Sequence, residues 1–338
     1  MDERSGLGRP ESVLFDLRVT VDRIEGRPVC GLAVGDYFEV TESSRLRIRG
    51  SDLKRRFGIG LRGNLPPGAY GRLGRLAEDL GFDVVSAFHD LGDQPAIVPL
   101  LEVARATRRV AVGPACLNPY TMRPGEIAAA ISMLDAASGG RAYLGLARGA
   151  WLETIGITQV DPATAVRGAA AFVQSRTKVP LLIGGWGRRM VALAGEIADE
   201  LKVGGSANAD IVPLMRQRLA IGAARAGRPP GATGIVLGAV TVVDEDGVAA
   251  RQLARDAVAR YYDVIARFDP TTPIVAGSAQ LPDEVLDRFA FAGTPDQVTR
   301  QVDRIFAAGA SRVEFGAPFG LDPVAGLRLL GTRVLAAL

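Results

Sequence analysis

From Arg56 to Ala317 the sequence alternates eight times between a short β-forming run and a helix-forming stretch rich in Ala, Leu and Arg. The β-rich runs are RFGIGL, DVVSAF, RVAVGPACL, RAYLGLA, VPLLIGG, ELKVGG, GIVLGAVTVV and SRVEFGA. Runs this apolar suit strands buried on both faces, as parallel strands are. Strand–helix alternation over about 280 residues indicates parallel α/β architecture, and eight units favour a closed (β/α)₈ barrel over an open doubly wound sheet. In such barrels the active site lies at the strand C-termini, so the residues just after each strand are the candidates for function.

Ahead of the barrel, the polar residues 1–11 suggest a disordered tail. Residues 12–52 suggest a small β-rich module, because DLRVTVDRI and RLRIR alternate with period two and GRPVCG and VGDYFEV carry turn glycines and β-formers. The barrel is expected over 53–338. The first residues, MDERSGLGRPES, lack the apolar core of a signal peptide, and no later apolar run is long enough to cross a membrane. A cytoplasmic protein without a membrane partner is expected. The net charge of +3, with no long basic run, gives no footprint for nucleic acid. Cys30 and Cys116 have no CxxC partner and His89 is the single histidine, so neither a disulfide nor a metal site is expected.

The strongest local signal is LLIGGWGRRM, Leu181 to Met190, at the end of the fifth run and entering a helix near Met190. Gly184, Gly185 and Gly187 allow close backbone approach to an anion. A helix start adds free N–H groups and partial positive charge, and Arg188 or Arg189 can add a guanidinium fork. The plain alternative is a tight turn. The sixth run ends Gly204-Gly205, and adjacent glycine loops could form one rim for a phosphorylated cofactor. GPACLNPYTMRP follows the third run; there Asn118 can donate and accept, or the loop is simply capped, with Thr121 before a helix starting near Pro124. After the fourth run, Gly145 and Gly149 leave room for a flat ring that Trp151 could wall, unless Trp151 is a core aromatic. His89, beside Asp90 and Asp93 at the end of the second run, is a candidate for proton transfer or a structural histidine. The helical stretch 248–267 precedes an irregular segment, Phe268 to Asp287, which could be a lid or a pocket wall.

Three stretches together resemble the bacterial luciferase-like superfamily: VAVGPACLNPYTMRPGEIAAAISMLDAASGGRAYLGLARGAWLETIGI, PLLIGGWGRRMVALAGEIADELKVGGSAN and FAGTPDQVTRQVDRIFAAGASRVEFG. Within it they are most similar to the branch that uses the deazaflavin coenzyme F420, which includes methylenetetrahydromethanopterin reductases. The resemblance implies a barrel with an insertion, holding the deazaflavin ring against a bulge after the third strand. That bulge maps to Ala115–Cys116, often a non-proline cis peptide, with Gly113 before it and Asn118 beside it. It implies the cofactor phosphate at Gly184, Gly185, Trp186 and Gly187 and near Gly204 and Gly205; Arg188 and Gly149 remain cofactor-binding candidates from the residues themselves. It assigns the catalytic position near the reacting carbon to His89; Trp151 and Glu153 are the candidate substrate residues. Some relatives carry an acid after the fourth strand where this chain has Ala150; Glu153 is the nearest. The activity implied is hydride transfer between reduced deazaflavin and an organic substrate, in a homodimer; the extra module 12–52 adds the expectation of a small-molecule or peptide substrate. An FMN-dependent monooxygenase of the same fold and a cofactor-free binding protein are the alternatives.

Overall fold

The computed structural model describes residues 55–272 and 281–338 in full; of residues 1–54 it describes the backbone pairing of three strands. These are β1 (Leu17–Thr20), β2 (Tyr37–Thr41) and β3 (Arg45–Arg49), joined antiparallel in that order. The expected tail 1–11 and the GRPVCG run lie outside the described residues. By chain contacts the protein separates into two compact units, 1–54 and 55–338.

The second unit is a parallel barrel ringed by helices. Its strands are β4 (Arg56–Leu61), β5 (Val84–Ala87), β6 (Ala111–Pro114), β7 (Leu144–Leu146), β8 (Leu181–Gly184), β9 (Glu200–Gly204) and β10 (Gly234–Val243), then β11 (Ala290–Gly293) and β12 (Arg312–Phe319). Between them run α1 (Ala69–Asp79), α2 (Ile97–Ala106), α3 (Pro124–Ser138), α4 (Pro162–Gln174), α5 (Arg188–Ile197), α6 (Ile211–Arg225) and α7 (Gly247–Ala259). Then come α8 (Tyr262–Ile265), α9 (Asp283–Phe289), α10 (Pro295–Ala307) and α11 (Pro323–Leu329). All eight expected runs form strands, paired in the order β6-β5-β4-β12-β10-β9-β8-β7. The bridges Val112↔Ala142 and Leu117↔Leu146 join β6 to β7 and bring the ends of the sheet together. The first strand meets the last, with Arg56 paired to Arg312 and Gly60 to Gly316. Strand side chains such as Ile59, Val85, Leu144, Ile183, Leu201 and Leu237 are buried, which is why the runs read as continuously apolar.

Some details depart from expectation. β11 is an additional strand, four residues long, that pairs with the outer half of β10 from Val240↔Ala290 to Val243↔Gly293. AFAG is too short between two helices to signal a strand by periodicity. The stretch 248–267 is not one helix: α7 ends at Ala259, and α8 and a 3₁₀ turn at Ala266–Phe268 follow. The break lets the Tyr261 hydroxyl donate to the Phe289 carbonyl at 3.0 Å and buries Tyr262 against Phe289. Part of the expected irregular segment is α9, which starts after Pro282 with Asp283 and Glu284 in its first turn, where carboxylates favour a helix. Residues 273–280 lie outside the described residues. The helix expected near Met190 begins two residues earlier, at Arg188.

Candidate active site

The C-terminal ends of β5 to β9 surround a cavity of about 640 Å³, whose far wall is Val264, Ile265 and Phe268 from α8 and the turn after it. Its lining includes His89, Ala115, Cys116, Gly149, Trp151, Gly184, Gly185, Trp186, Gly187, Arg188 and Gly204. The loops singled out in the sequence therefore converge on one space.

One end of this space is the glycine turn between β8 and α5. The Gly185 N–H donates to the Lys202 carbonyl at 3.0 Å, the Trp186 indole N–H donates to the Gly204 carbonyl at 2.9 Å, and Arg218 donates to the Trp186 carbonyl at 2.7 Å. Trp186 thus ties the two glycine loops together. Gly187 takes the N-cap position of α5, and no side-chain cap satisfies the first N–H groups of that helix. The glycines are of two kinds. A Cβ on Gly187 or Gly204 would meet nothing within 4 Å, whereas on Gly184 it would stand 3.0 Å from Cys116 Sγ and on Gly185 2.5 Å from Met190 Cγ. The first pair borders open space and the second pair is needed for packing. Arg188 is exposed at the rim; Arg189, also at the rim, is ion-paired with Asp161. The Asp161 carboxyl is held below its usual range by the Thr164 hydroxyl and by Arg189.

At the other end the Ala115–Cys116 peptide bond is cis, at the place to which the resemblance assigns the bulge. β6 and β7 come together closely here: a Cβ on Gly145 would lie 2.0 Å from the Pro114 carbonyl oxygen. Burial pushes the Cys116 thiol up to about 12. His89 is half-buried, and its Nδ1 accepts the Ala96 backbone N–H at 3.3 Å at the start of α2. An imidazole accepting at Nδ1 is neutral and carries its proton on Nε2. Burial lowers its pKa, against the opposing charge of Asp90. Asp90 reaches solvent, yet protein on its cleft side desolvates the carboxyl, and with Asp93 beside it the pKa is raised.

Other expected residues are placed differently. Gly113 lies under the Tyr143 ring, 2.6 Å from where its Cβ would be, and does not line the cavity. Asn118 is buried, its Oδ1 accepting the N–H groups of Tyr120 at 3.1 Å and Thr121 at 2.9 Å, so it caps its own loop and borders a neighbouring cavity of about 200 Å³. Thr121 is not the cap of α3: Arg123 holds that position, and Glu126 accepts its N–H at 2.9 Å. Trp151 is not a core aromatic. It is 39% exposed at the cavity mouth, with a left-handed φ of 56°, a conformation of cost found at binding sites. Glu153 is exposed in the 3₁₀ turn Leu152–Ile155 and outside the cavity lining. Gly205, with φ +76°, borders a second cavity of about 230 Å³.

Sequence reasoning missed Lys202 and Glu314, which face each other as an ion pair inside the barrel. Glu314 also accepts from Ser86 Oγ at 2.6 Å and lies 3.2 Å from Arg312, which in turn pairs with Glu200 at 2.7 Å. Burial alone would raise the Glu314 carboxyl, but Lys202 and Arg312 outweigh it and hold the pKa low. The available signal was a lysine and a glutamate inside runs otherwise read as buried, ELKVGG and SRVEFG.

Residues 53–154 and 158–312 match the family model for luciferase-like monooxygenase. The chain belongs to the luciferase-like monooxygenase family. Among curated relatives, the 5,10-methylenetetrahydromethanopterin reductase of Archaeoglobus fulgidus is 28% identical over 315 residues, covering 78% of this chain and 94% of the relative. The enzyme of the same name from Methanolobus tindarius is 26% identical over 306 residues, covering 77% and 94%. Among solved structures, the coenzyme F420 dependent tetrahydromethanopterin reductase from Methanopyrus kandleri superposes with a TM-score of 0.72 at 23% identity, covering 84% of this chain and 99% of that one. This family member has, among the described residues, no cluster of His, Cys, Asp and Glu suited to a metal and no helix long and apolar enough to cross a membrane.

Proposed function

We propose that this chain is an F420-dependent oxidoreductase acting on an organic substrate. The observation that carries the reading is the open room at Gly187 and Gly204 beside the uncapped start of α5, at one end of a 640 Å³ cavity with His89 on its wall. A phosphate-bearing cofactor tail fits that end, because helix N–H groups and Arg188 offer donors where a Cβ is absent. The reduced deazaflavin, when bound, supplies a hydride. Cys116 and Ala115 form the surface against which a flat ring would lie. In this reading His89, neutral with its proton on Nε2, donates a hydrogen bond that polarises the acceptor. The names of the curated relatives support this reading over a cofactor-free protein.

Titrating the full chain with F420 and with FMN, side by side, by fluorescence tests it. Saturable binding of F420 that is much tighter than FMN is expected. Tight FMN with oxygen consumption on reduction would establish a monooxygenase instead, and no binding of either would leave a binding protein. We further propose that residues 1–52 act in substrate capture, so that their removal lowers turnover of the native substrate with F420 binding intact; unchanged kinetics would overturn that role.

A further inference from the structure

The second cavity, about 230 Å³, opens from the first. Asp90, Ala115, Trp151, Lys202, Gly204 and Ile265 line both. The rest of its lining includes Gly238, Ala239 and Val240 of β10, Gly316 of β12, Phe88 and Tyr261. With water occupying about 30 Å³, the space holds a molecule of roughly eight non-hydrogen atoms. It is therefore much smaller than a cofactor site and apolar on most sides.

The polar groups here have mostly been used. The Tyr261 hydroxyl donates to Phe289, and both Glu314 oxygens are taken, one by Lys202 and one by Ser86 and Arg312. Among the charged lining residues described, Lys202 is offset by Glu314, and Asp90 adds negative charge. No surplus positive charge is present among them to neutralise a phosphate or carboxylate. Lys202 differs from the others. Its side chain is 6% exposed, its Nζ is 5.1 Å from the Phe88 ring centre, and Glu314 takes one of the three N–H groups an ammonium carries. The remaining donors belong to a residue that lines both cavities, at their junction.

We infer that the second cavity is the substrate chamber, that its substrate is a small, uncharged, largely apolar carbonyl compound, and that Lys202 holds the carbonyl oxygen. This rests on the oxidoreductase reading for the reaction but not for binding. Reduction turns C=O into CH–OH: hydride from the reduced deazaflavin reaches carbon, and a proton from solvent, entering through the first cavity, reaches oxygen. Lys202 favours the step by stabilising charge that develops on that oxygen. The same chamber excludes sugar phosphates and bulky acidic substrates, by size and by charge.

The test uses the full chain, with and without F420, and two probes of one shape: cyclohexanone and methylenecyclohexane, measured by calorimetry or ligand-observed NMR. Cyclohexanone is expected to bind. Lys202→Met should weaken it about tenfold or more while leaving methylenecyclohexane within about twofold, since the lost contact is a charge-assisted hydrogen bond. Val240→Phe, outside the ion network, should abolish both by filling the chamber. F420 titration should survive both substitutions. The inference is overturned if a chain that binds F420 ignores cyclohexanone, if Lys202→Met weakens both probes alike, or if Val240→Phe leaves cyclohexanone unaffected. It is equally overturned if glucose 6-phosphate binds more tightly than cyclohexanone. Loss of F420 binding in the unaltered chain would instead sink the oxidoreductase reading, leaving the chamber to be judged on the two probes alone. If Lys202→Met does not fold, Val240→Phe decides.

Discussion

Ser86 and Glu314 stand on the second and eighth strands of the barrel, and the Ser86 hydroxyl donates to Glu314 Oε2 over 2.6 Å. The Tyr143 hydroxyl, 2.8 Å from Ser86 Oγ, extends the link to the residue just before β7. Polar side chains from separate strands thus share one carboxylate inside an apolar barrel, together with Lys202 and Arg312.

Removing one member should leave buried charge uncompensated. Arg312 is fully buried and pairs with Glu200 and Glu314. Arg312→Met is expected to destabilise the fold by about 3–5 kcal/mol, the usual cost of breaking a buried pair from one side. Urea denaturation measures it, and a loss below about 1 kcal/mol would mean the network is worth little. Because the Glu314 pKa lies below its ordinary value of 4.5, its contribution is present above that pH and lost as the pH falls through the lowered value.

The two kinds of glycine separate binding from packing. Gly187→Ala places a methyl group where nothing stands within 4 Å, so thermal stability should hardly change while F420 affinity falls tenfold or more. Gly113→Ala meets the Tyr143 ring at 2.6 Å and should cost about 1–3 kcal/mol of stability, as overpacking does, with F420 affinity unchanged in the folded fraction. Thermal melts and titrations on the same two variants check both; the reverse pattern would show that Gly187 does not border the phosphate.

His89 gives a pH dependence of definite sign. Burial holds its pKa below 6.5, so in the native protein the imidazole stays neutral to lower pH than in the unfolded chain. Between the lowered value and 6.5 the unfolded chain binds the extra proton, so His89 subtracts stability as the pH falls below 6.5. If the neutral form acts in turnover, kcat/KM should keep its neutral-pH value at 6.5 and fall only below it. His89→Ala should slow turnover by about 10²–10³-fold, the range for losing one hydrogen-bond donor to a developing oxyanion. An acid limb centred above 6.5 would remove His89 from the assignment.

Cys116 should be chemically quiet. With the thiol pushed up to about 12, almost no thiolate exists at pH 8. Site-resolved mass spectrometry after iodoacetamide should find Cys116 alkylated at under about a tenth of the rate of a free cysteine. Rapid labelling would mean that the third-strand loop opens to solvent.

The strand pattern could be read from the sequence because the barrel buries each strand on both faces, which leaves unbroken apolar runs such as GIVLGAVTVV. The glycine turns could be read because glycine signals backbone demand directly. Trp151 could not be settled, since an aromatic in a loop carries no mark of whether it faces core or cleft. Lys202 and Glu314 escaped for the opposite reason: each is a single charge inside an apolar run, and its meaning depends on a partner over a hundred positions away. Gly113 was grouped with the cofactor loop by proximity in sequence, although the alternation of strand faces turns it toward Tyr143.

The pairing of β4 with β12 also governs when the catalytic unit can come into being. Arg56, at the start of the unit, finds its neighbour in Arg312, near its end. A growing chain therefore carries an open edge on β4 through most of its synthesis, and the barrel can shut only after β12 has emerged. Contacts between such distant residues form slowly, because the loop they close must first be ordered. Chains that stop short of Arg312 should expose that edge to other chains, as unpaired strands do.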